Sequence, residues 1–151
     1  MTLTTTKKIP LQGFTIRALK PANLGNERGK RTWEYKMLNG PQISFYLRTK
    51  GEVFGNHFHK GKDPSKNPER IIFTSGIAQI KFTYLSGKQK IVIIKATKAP
   101  QELLLFPYVL HSYKAKTNCT YVEYRSTWFN KKDPDTFPEK EFFEIMTKEK
   151  K

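Results

Sequence analysis

The sequence predicts an all-β protein, a sandwich or barrel of nine or ten short strands. Three observations carry this. Short runs of β-branched and aromatic residues recur along the chain, Ile43 to Arg48 alternating with a period of two. Turn signals such as Asn39-Gly40-Pro41, Ser86-Gly87 and Thr117-Asn118 separate these runs. No segment before residue 138 carries a helical period.

Residues 1–8 read as a frayed tail. Ile9 to Leu19 is a first strand region, broken at Gly13. Pro21 to Lys30 is a loop with two glycines, and Trp33 to Leu38 is a short strand. In Ile43–Arg48, Ile43, Phe45 and Leu47 share one face and read as core. Ser44, Tyr46 and Arg48 share the other, which lines a pocket or meets solvent. Val53 to His59 is the next strand. His57 and His59 project from one of its faces, and Phe54 and Phe58 from the opposite face. Glu69 to Ser75 and Ile77 to Leu85 follow as two strands, the first with Glu69, Ile71 and Phe73 on a common face. Gln89–Ala96 returns across Ser86-Gly87. Glu102–Phe106, His111–Ala115 and Cys119–Ser126 complete the set. At the end, PEKEFFEIMTKEK has a proline at its start, acids early and lysines late, which suits a short helix over about 138–149. Phe142, Phe143 and Met146 are expected to dock it on the strands.

Length and composition fit one domain spanning 1–151, with a core over about 9–137. A chain of 151 residues buries a real core, and 37% hydrophobic with 13% aromatic residues is too apolar for a disordered chain. The single cysteine, Cys119, excludes an intrachain disulfide and is consistent with a reducing compartment. No apolar run approaches the roughly 20 residues that span a bilayer. The first residues lack an apolar segment of the secretory type. The expected location is cytoplasmic. A net charge of +15 attracts anionic molecules. Part of it lies in Lys148, Lys150 and Lys151 and in the loop Lys60, Lys62, Lys66, where solvated charge is the ordinary explanation. Nucleic acid is the weaker partner, because no helix-turn-helix, zinc-finger or RNA-binding aromatic motif accompanies the charge.

The chain has three histidines, His57, His59 and His111. Two imidazoles on one strand face, joined by a carboxylate and a third imidazole from other strands, form a plausible divalent-metal site. The alternative is that they are ordinary surface or core side chains.

The spacing Gly51, five residues, His57-x-His59, a spacer, Glu69, six residues, Gly76 resembles the first motif of the cupin family. The spacer exceeds the family's usual length and is rich in Lys, Pro and Asp (KGKDPSKNP), so it reads as a lengthened hairpin loop. Pro107 to His111 resembles the second motif. It departs where Tyr108 and Val109 replace an expected glycine and Ala115 an expected Asn. Gly55-Asn56-His57-x-His59, Glu69 and Ser75-Gly76-x-Ala78-x-Ile80-x-Phe82 are similar to cupins that work on nucleotide sugars. Asn130 to Phe137 (NKKDPDTF) resembles the end of the cupin epimerase domain in bifunctional capsular-polysaccharide enzymes. The resemblance covers roughly residues 45–137.

The resemblance implies a double-stranded β-helix, the cupin jelly-roll barrel, and a homodimer. It implies an epimerase or isomerase of a nucleotide-linked keto-deoxy sugar in surface polysaccharide biosynthesis. It also implies His57, His59, Glu69 and His111 as ligands of a divalent metal, zinc first, with iron, nickel or manganese as alternatives. Such chemistry removes a proton alpha to a carbonyl, stabilises the enolate and returns a proton. If the histidines hold metal, Tyr113 or Glu69 must carry the proton. Tyr113 is the first candidate because it shares a strand face with His111, although a lining aromatic is its ordinary role. Alternatively the site is metal-free and one histidine is the base. Arg48 and Arg125 are candidates for the substrate diphosphate. Other chemistry with the same ligands, such as a dioxygenase, or a non-catalytic carbohydrate-binding cupin, are the competing readings.

Overall fold

A computed structural model describes residues 13–18, 42–127 and 130–148. These residues form nine strands and one helix: β1 (Phe14–Ala18), β2 (Gln42–Arg48), β3 (Val53–Phe58), β4 (Glu69–Tyr84), β5 (Gln89–Ala96), β6 (Gln101–Leu105), β7 (Val109–Ala115), β8 (Cys119–Arg125), β9 (Phe137–Pro138) and α1 (Glu139–Lys148). The short strand expected over Trp33–Leu38, the loop over Pro21–Lys30 and the turn at Asn39-Gly40-Pro41 lie outside the described residues. No helix among those described is long and apolar enough to cross a membrane.

The two strands expected over Glu69–Ser75 and Ile77–Leu85 are one 16-residue strand, β4. Its first half pairs with β6 and β8, and its second half with β5 and β7, all antiparallel. β1 extends the first group through β6, and β2 through β8. β3 and then β9 extend the second group through β7. Two layers therefore share one central strand. It passes from one layer to the other at Gly76, which has φ +84°. Only glycine reaches that conformation without strain, and a Cβ there would lie 2.2 Å from the Asn118 carbonyl oxygen.

The expected closed barrel is not formed. The hydrogen-bonded path ends at β1 on one side and β9 on the other. β2 and β3 are consecutive and separated only by residues 49–52, yet they do not pair: β2 joins β8 and β3 joins β7. With β4 as the only shared strand among the described residues, the layers they form face each other as an open jelly-roll-like sandwich. Aromatic side chains fill the space between them, as where Phe14 of β1 stacks on Phe82 of β4 at 4.0 Å. Ile71, Phe73, Ile80, Phe82, Ile94 and Leu103 form the centre of this core.

The helix forms over the expected residues. Glu139 and Glu141 in its first turn and Lys148 in its last complement the helix dipole. Phe142 is fully buried against Phe58 and Leu110. Phe143 remains exposed and Met146 is only partly buried, so Phe142 rather than the trio docks the helix, with help from Ile145.

Two face assignments differ from the alternation pattern. Ile43, Phe45 and Leu47 point outward, with Phe45 79% exposed, while Tyr46 packs against the core. In β3 the pairing register shifts between Gly55 and His57. Gly55 and Asn56 take φ of 81° and 62°, so an extra residue bulges out of the ladder. The bulge puts Phe54 on the same side as His57, opposite Tyr113 and His111 of β7. Asn56 Nδ2 donates to Glu139 Oε2 at 3.0 Å, which fastens the bulge to the start of α1.

Candidate metal centre and active site

The bulge, the end of β3 and the pairing of β7 bring the three histidines together. One ligand atom from each of His57, His59 and His111 lies within 4.8 Å of the others. His57 and His111 are cross-strand partners with ring centroids 4.6 Å apart, and His59 lies 4.9 Å from His57. His111 is 1% exposed and His57 half-buried.

Each ring is oriented by backbone. His59 Nδ1 donates to the Asp135 carbonyl at 2.6 Å, and His111 Nδ1 donates to the Val109 carbonyl at 3.0 Å. A carbonyl oxygen can only accept, so both Nδ1 atoms carry protons and both Nε2 atoms turn to the cluster. A backbone hydrogen bond with Gly55 holds His57. His111 Nε2 is buried with no hydrogen-bond partner among the described residues. His59 Nε2 faces Glu69 Oε2 at 3.2 Å, and His111 Nε2 lies 3.8 Å from the same oxygen. A ring nitrogen that close to a carboxylate oxygen calls for a proton or a cation between them. The donor set, the backbone-fixed tautomers and the orphaned Nε2 therefore fit a divalent metal.

Electrostatics favour neutral His57 and His111 and an ionised Glu69. Burial, then the neighbouring His59, pushes the His57 pKa down to about 4. Burial and His57 hold His111 well below the ordinary imidazole value. Burial alone would raise the Glu69 pKa, but the Lys66 ammonium and His59 outweigh it and hold the carboxyl well below its usual range.

Lys66 was expected as solvated loop charge, yet it is 4% exposed. Its Nζ is paired with Glu69 Oε1 and lies 2.6 Å from Glu123 Oε1. Glu123 Oε2 accepts from the Tyr46 hydroxyl at 3.1 Å. Asp135, in the segment Asn130 to Phe137, is 1% exposed. Beyond its carbonyl bond to His59, its carboxylate accepts from the amides of Lys60 at 3.0 Å and Asp63 at 2.9 Å.

Between the layers, near-parallel rings lead away from the histidines. Tyr113 stacks on Phe54 at 4.9 Å, Phe54 on Tyr121 at 5.6 Å, and Tyr121 on Tyr46 at 4.6 Å. The Arg48 guanidinium lies 5.1 to 5.7 Å from the ring centroids of Phe54, Tyr46 and Tyr121, beside Glu52 at 3.5 Å. Arg125 sits elsewhere. It is buried and paired with Asp63 and, at 3.4 Å, with Glu123. The structure thus brings together His57, His59, His111, Glu69 and Tyr113, places Arg48 at the far end of the aromatic row, and commits Arg125 to an ion-pair network. The Tyr113 hydroxyl is buried without a hydrogen-bond partner among the described residues, and burial, then Glu69, holds its pKa well above the ordinary phenol value. It is a proton donor in this setting and a poor resident base.

No protein-family model and no curated protein matches the sequence. Solved structures do. A sugar 3,4-ketoisomerase, QdtA from Thermoanaerobacterium thermosaccharolyticum in complex with TDP, is similar over 93% of this chain and 98% of its own, at 13% identity and a TM-score of 0.64. WlaRA, a TDP-fucose-3,4-ketoisomerase from Campylobacter jejuni, is similar over 89% and 96%, at 15% identity and a TM-score of 0.65. The capsular polysaccharide assembling protein CapF from Staphylococcus aureus matches 66% of this chain at 18% identity and a TM-score of 0.56, and this chain spans about a quarter of CapF, 26%. At these identities the likeness is one of fold. The resemblance carried by Gly51 to Gly76 holds at that level: the chain has the cupin fold of the sugar-nucleotide ketoisomerases, in an open form.

Proposed function

We propose that the protein is an isomerase or epimerase of a nucleotide-linked keto-deoxy sugar in surface polysaccharide biosynthesis. The observation that carries this reading is the buried histidine cluster, with an ionised carboxylate beside it, at one end of an aromatic row that Arg48 closes at the other. The likeness in fold to enzymes named for 3,4-keto sugar isomerisation supports it.

The half-buried His57 is the base. It is neutral at physiological pH and takes the proton alpha to the sugar carbonyl. Tyr113, protonated and with a hydroxyl that no described residue engages, donates to the developing enolate oxygen. The aromatic faces of Tyr46, Tyr121 and Phe54 receive the flat nucleobase or the apolar face of the sugar, and Arg48 meets the diphosphate. A divalent ion, zinc before iron, nickel or manganese, would be held by His57, His59 and His111, with Glu69 beside them, and would supply Lewis-acid polarisation of the keto oxygen. An imidazole that holds an ion takes no proton, so His57 as base belongs to the metal-free form of the site. Metal content of the purified protein, compared with His57→Ala and His111→Ala, separates the two forms. A homodimer suits the outward apolar row Ile43, Phe45 and Leu47.

The test is solvent deuterium exchange into a panel of TDP-4-keto-6-deoxy sugars, read by mass spectrometry. Exchange is expected, with His57→Asn slowing it by about a hundredfold or more. A panel with neither binding nor exchange would overturn the reading.

A further inference from the structure

The lengthened loop between β3 and β4 has brought a cation of its own into the site. Residues 60–68 are pinned at several points. Asp135 accepts two loop amides, Arg125 pairs with Asp63, and Ser65 Oγ meets Ser126 Oγ at 3.1 Å and Thr127 Oγ1 at 3.0 Å. These contacts flank Lys66 and fix where its ammonium sits. That ammonium holds Glu69 Oε1, leaving only Oε2 turned to the histidines. It also takes one oxygen of Glu123, whose other oxygen holds Tyr46. The three imidazoles form a converging ligand group, and Glu69 reaches it through Oε2 alone.

We infer that Lys66 sets the cation affinity of the histidine cluster: it holds one oxygen of the carboxylate that faces the cluster and places a fixed positive charge beside the site, so that Glu69 can offer both oxygens and its full charge to a divalent ion only when Lys66 is removed. This rests on the histidine cluster being able to hold a metal. A unit charge a few ångströms from a divalent ion in a poorly solvated site opposes its binding strongly. A carboxylate whose Oε1 is held by an ammonium offers the ion Oε2 alone and with its charge partly neutralised, and taking both oxygens would mean breaking that pair. Lys66 is thus a positioning residue that acts through Glu69.

Cobalt(II) is the probe, titrated into the chelator-treated full chain and followed by its visible d–d absorption. Lys66→Met is expected to bind cobalt at least about tenfold more tightly than wild type. Lys66→Arg, which keeps the charge, is expected to stay within threefold. Lys66→Met/Glu69→Gln is expected to lose the gain. Should Lys66→Met not fold because two buried carboxylates lose their partner, Lys66→Met/Glu123→Gln removes one of them and carries the same expectation. Affinity within threefold of wild type in the folded Met variant, including no binding by either protein, overturns the inference. So does a gain that survives the loss of Glu69. The readout does not involve turnover, so failure here leaves the sugar-nucleotide reading standing, and a failed exchange assay leaves this one standing.

Discussion

Acidification is a direct probe of the histidine cluster. The folded protein holds the His57 pKa at about 4, against 6.5 in the unfolded chain. Between those values the unfolded state binds the proton and the folded state does not. Stability therefore rises with pH across this window and is lost as pH falls through it. From pH 7 to pH 5, linkage gives a loss of about 2 kcal/mol for His57 at full weight, and partial exposure of the ring discounts this to about 1. His111 is lowered in the same direction, again by burial first, and adds a loss of the same sign. Glu69 and Asp63 are lowered below their ordinary carboxylate values of 4.5 and 3.8, so their contribution is lost at more acid pH and does not enter the window. The assay is urea unfolding with EDTA present at pH 7 and pH 5, for wild type, His57→Gln and His111→Gln. Wild type is expected to lose more stability on acidification than either variant, by about 1 kcal/mol for His57→Gln. Equal losses in wild type and His57→Gln would refute the reasoning, as would an imidazole NMR titration placing His57 above pH 6. Either result would remove the ground for His57 as a neutral base.

Two further substitutions separate backbone effects from site effects. Gly76 and Gly51 both have φ near +85 to +90°, but a Cβ at Gly76 meets backbone at 2.2 Å whereas at Gly51 nothing lies within 4 Å. Gly51→Ala is expected to cost about 1–2 kcal/mol from conformation alone, and Gly76→Ala about 3 or more because overpacking adds to it. Denaturation midpoints that match between the two would show that the seam of β4 has more room than its geometry implies. Asp135→Ala strips two loop amides of a charged acceptor and is expected to cost about 2–4 kcal/mol. It is also expected to weaken cobalt binding, because the loop that flanks His59 loses its anchor. An Asp135→Ala protein as stable as wild type, with unchanged metal affinity, would count against that anchoring role.

Strand positions were largely legible because each run is short, alternates, and ends at a glycine, proline or asparagine turn. Which face points inward was not. Alternation pairs Ile43 with Phe45 and Leu47, but it does not say which row meets the core. Here the interior takes Tyr46 and Arg48, whose rings and guanidinium stack across the layers, and the aliphatic row is left outside. The position of Phe54 was lost for a related reason. One bulged residue reverses every later parity in a strand, and its signal, Gly55-Asn56 just before His57, is visible only once positive φ is expected there. Barrel closure is a property of which strands pair, and β2 and β3, neighbours in sequence, belong to different layers.

That the three histidines and Glu69 come together was legible in their spacing, because each lies on or just beyond a strand. Lys66 and Asp135 were not, for a reason that spacing cannot supply. A lysine in KGKDPSKNP has every local mark of a solvated residue, and its burial is possible only because Glu69, three positions on, and Glu123, fifty-seven positions on, converge on it. The cost of burying that ammonium is offset only with both partners in place. One signal did point there. Nine residues separate His59 from Glu69, where the resembling family uses fewer, and an insertion placed between two candidate ligands has only the site and the solvent to face. Three side-chain anchors, Asp135, Arg125 and Ser65, turn it to the site. The departure from the motif is therefore where this protein's chemistry is expected to differ from that of the ketoisomerases whose fold it shares.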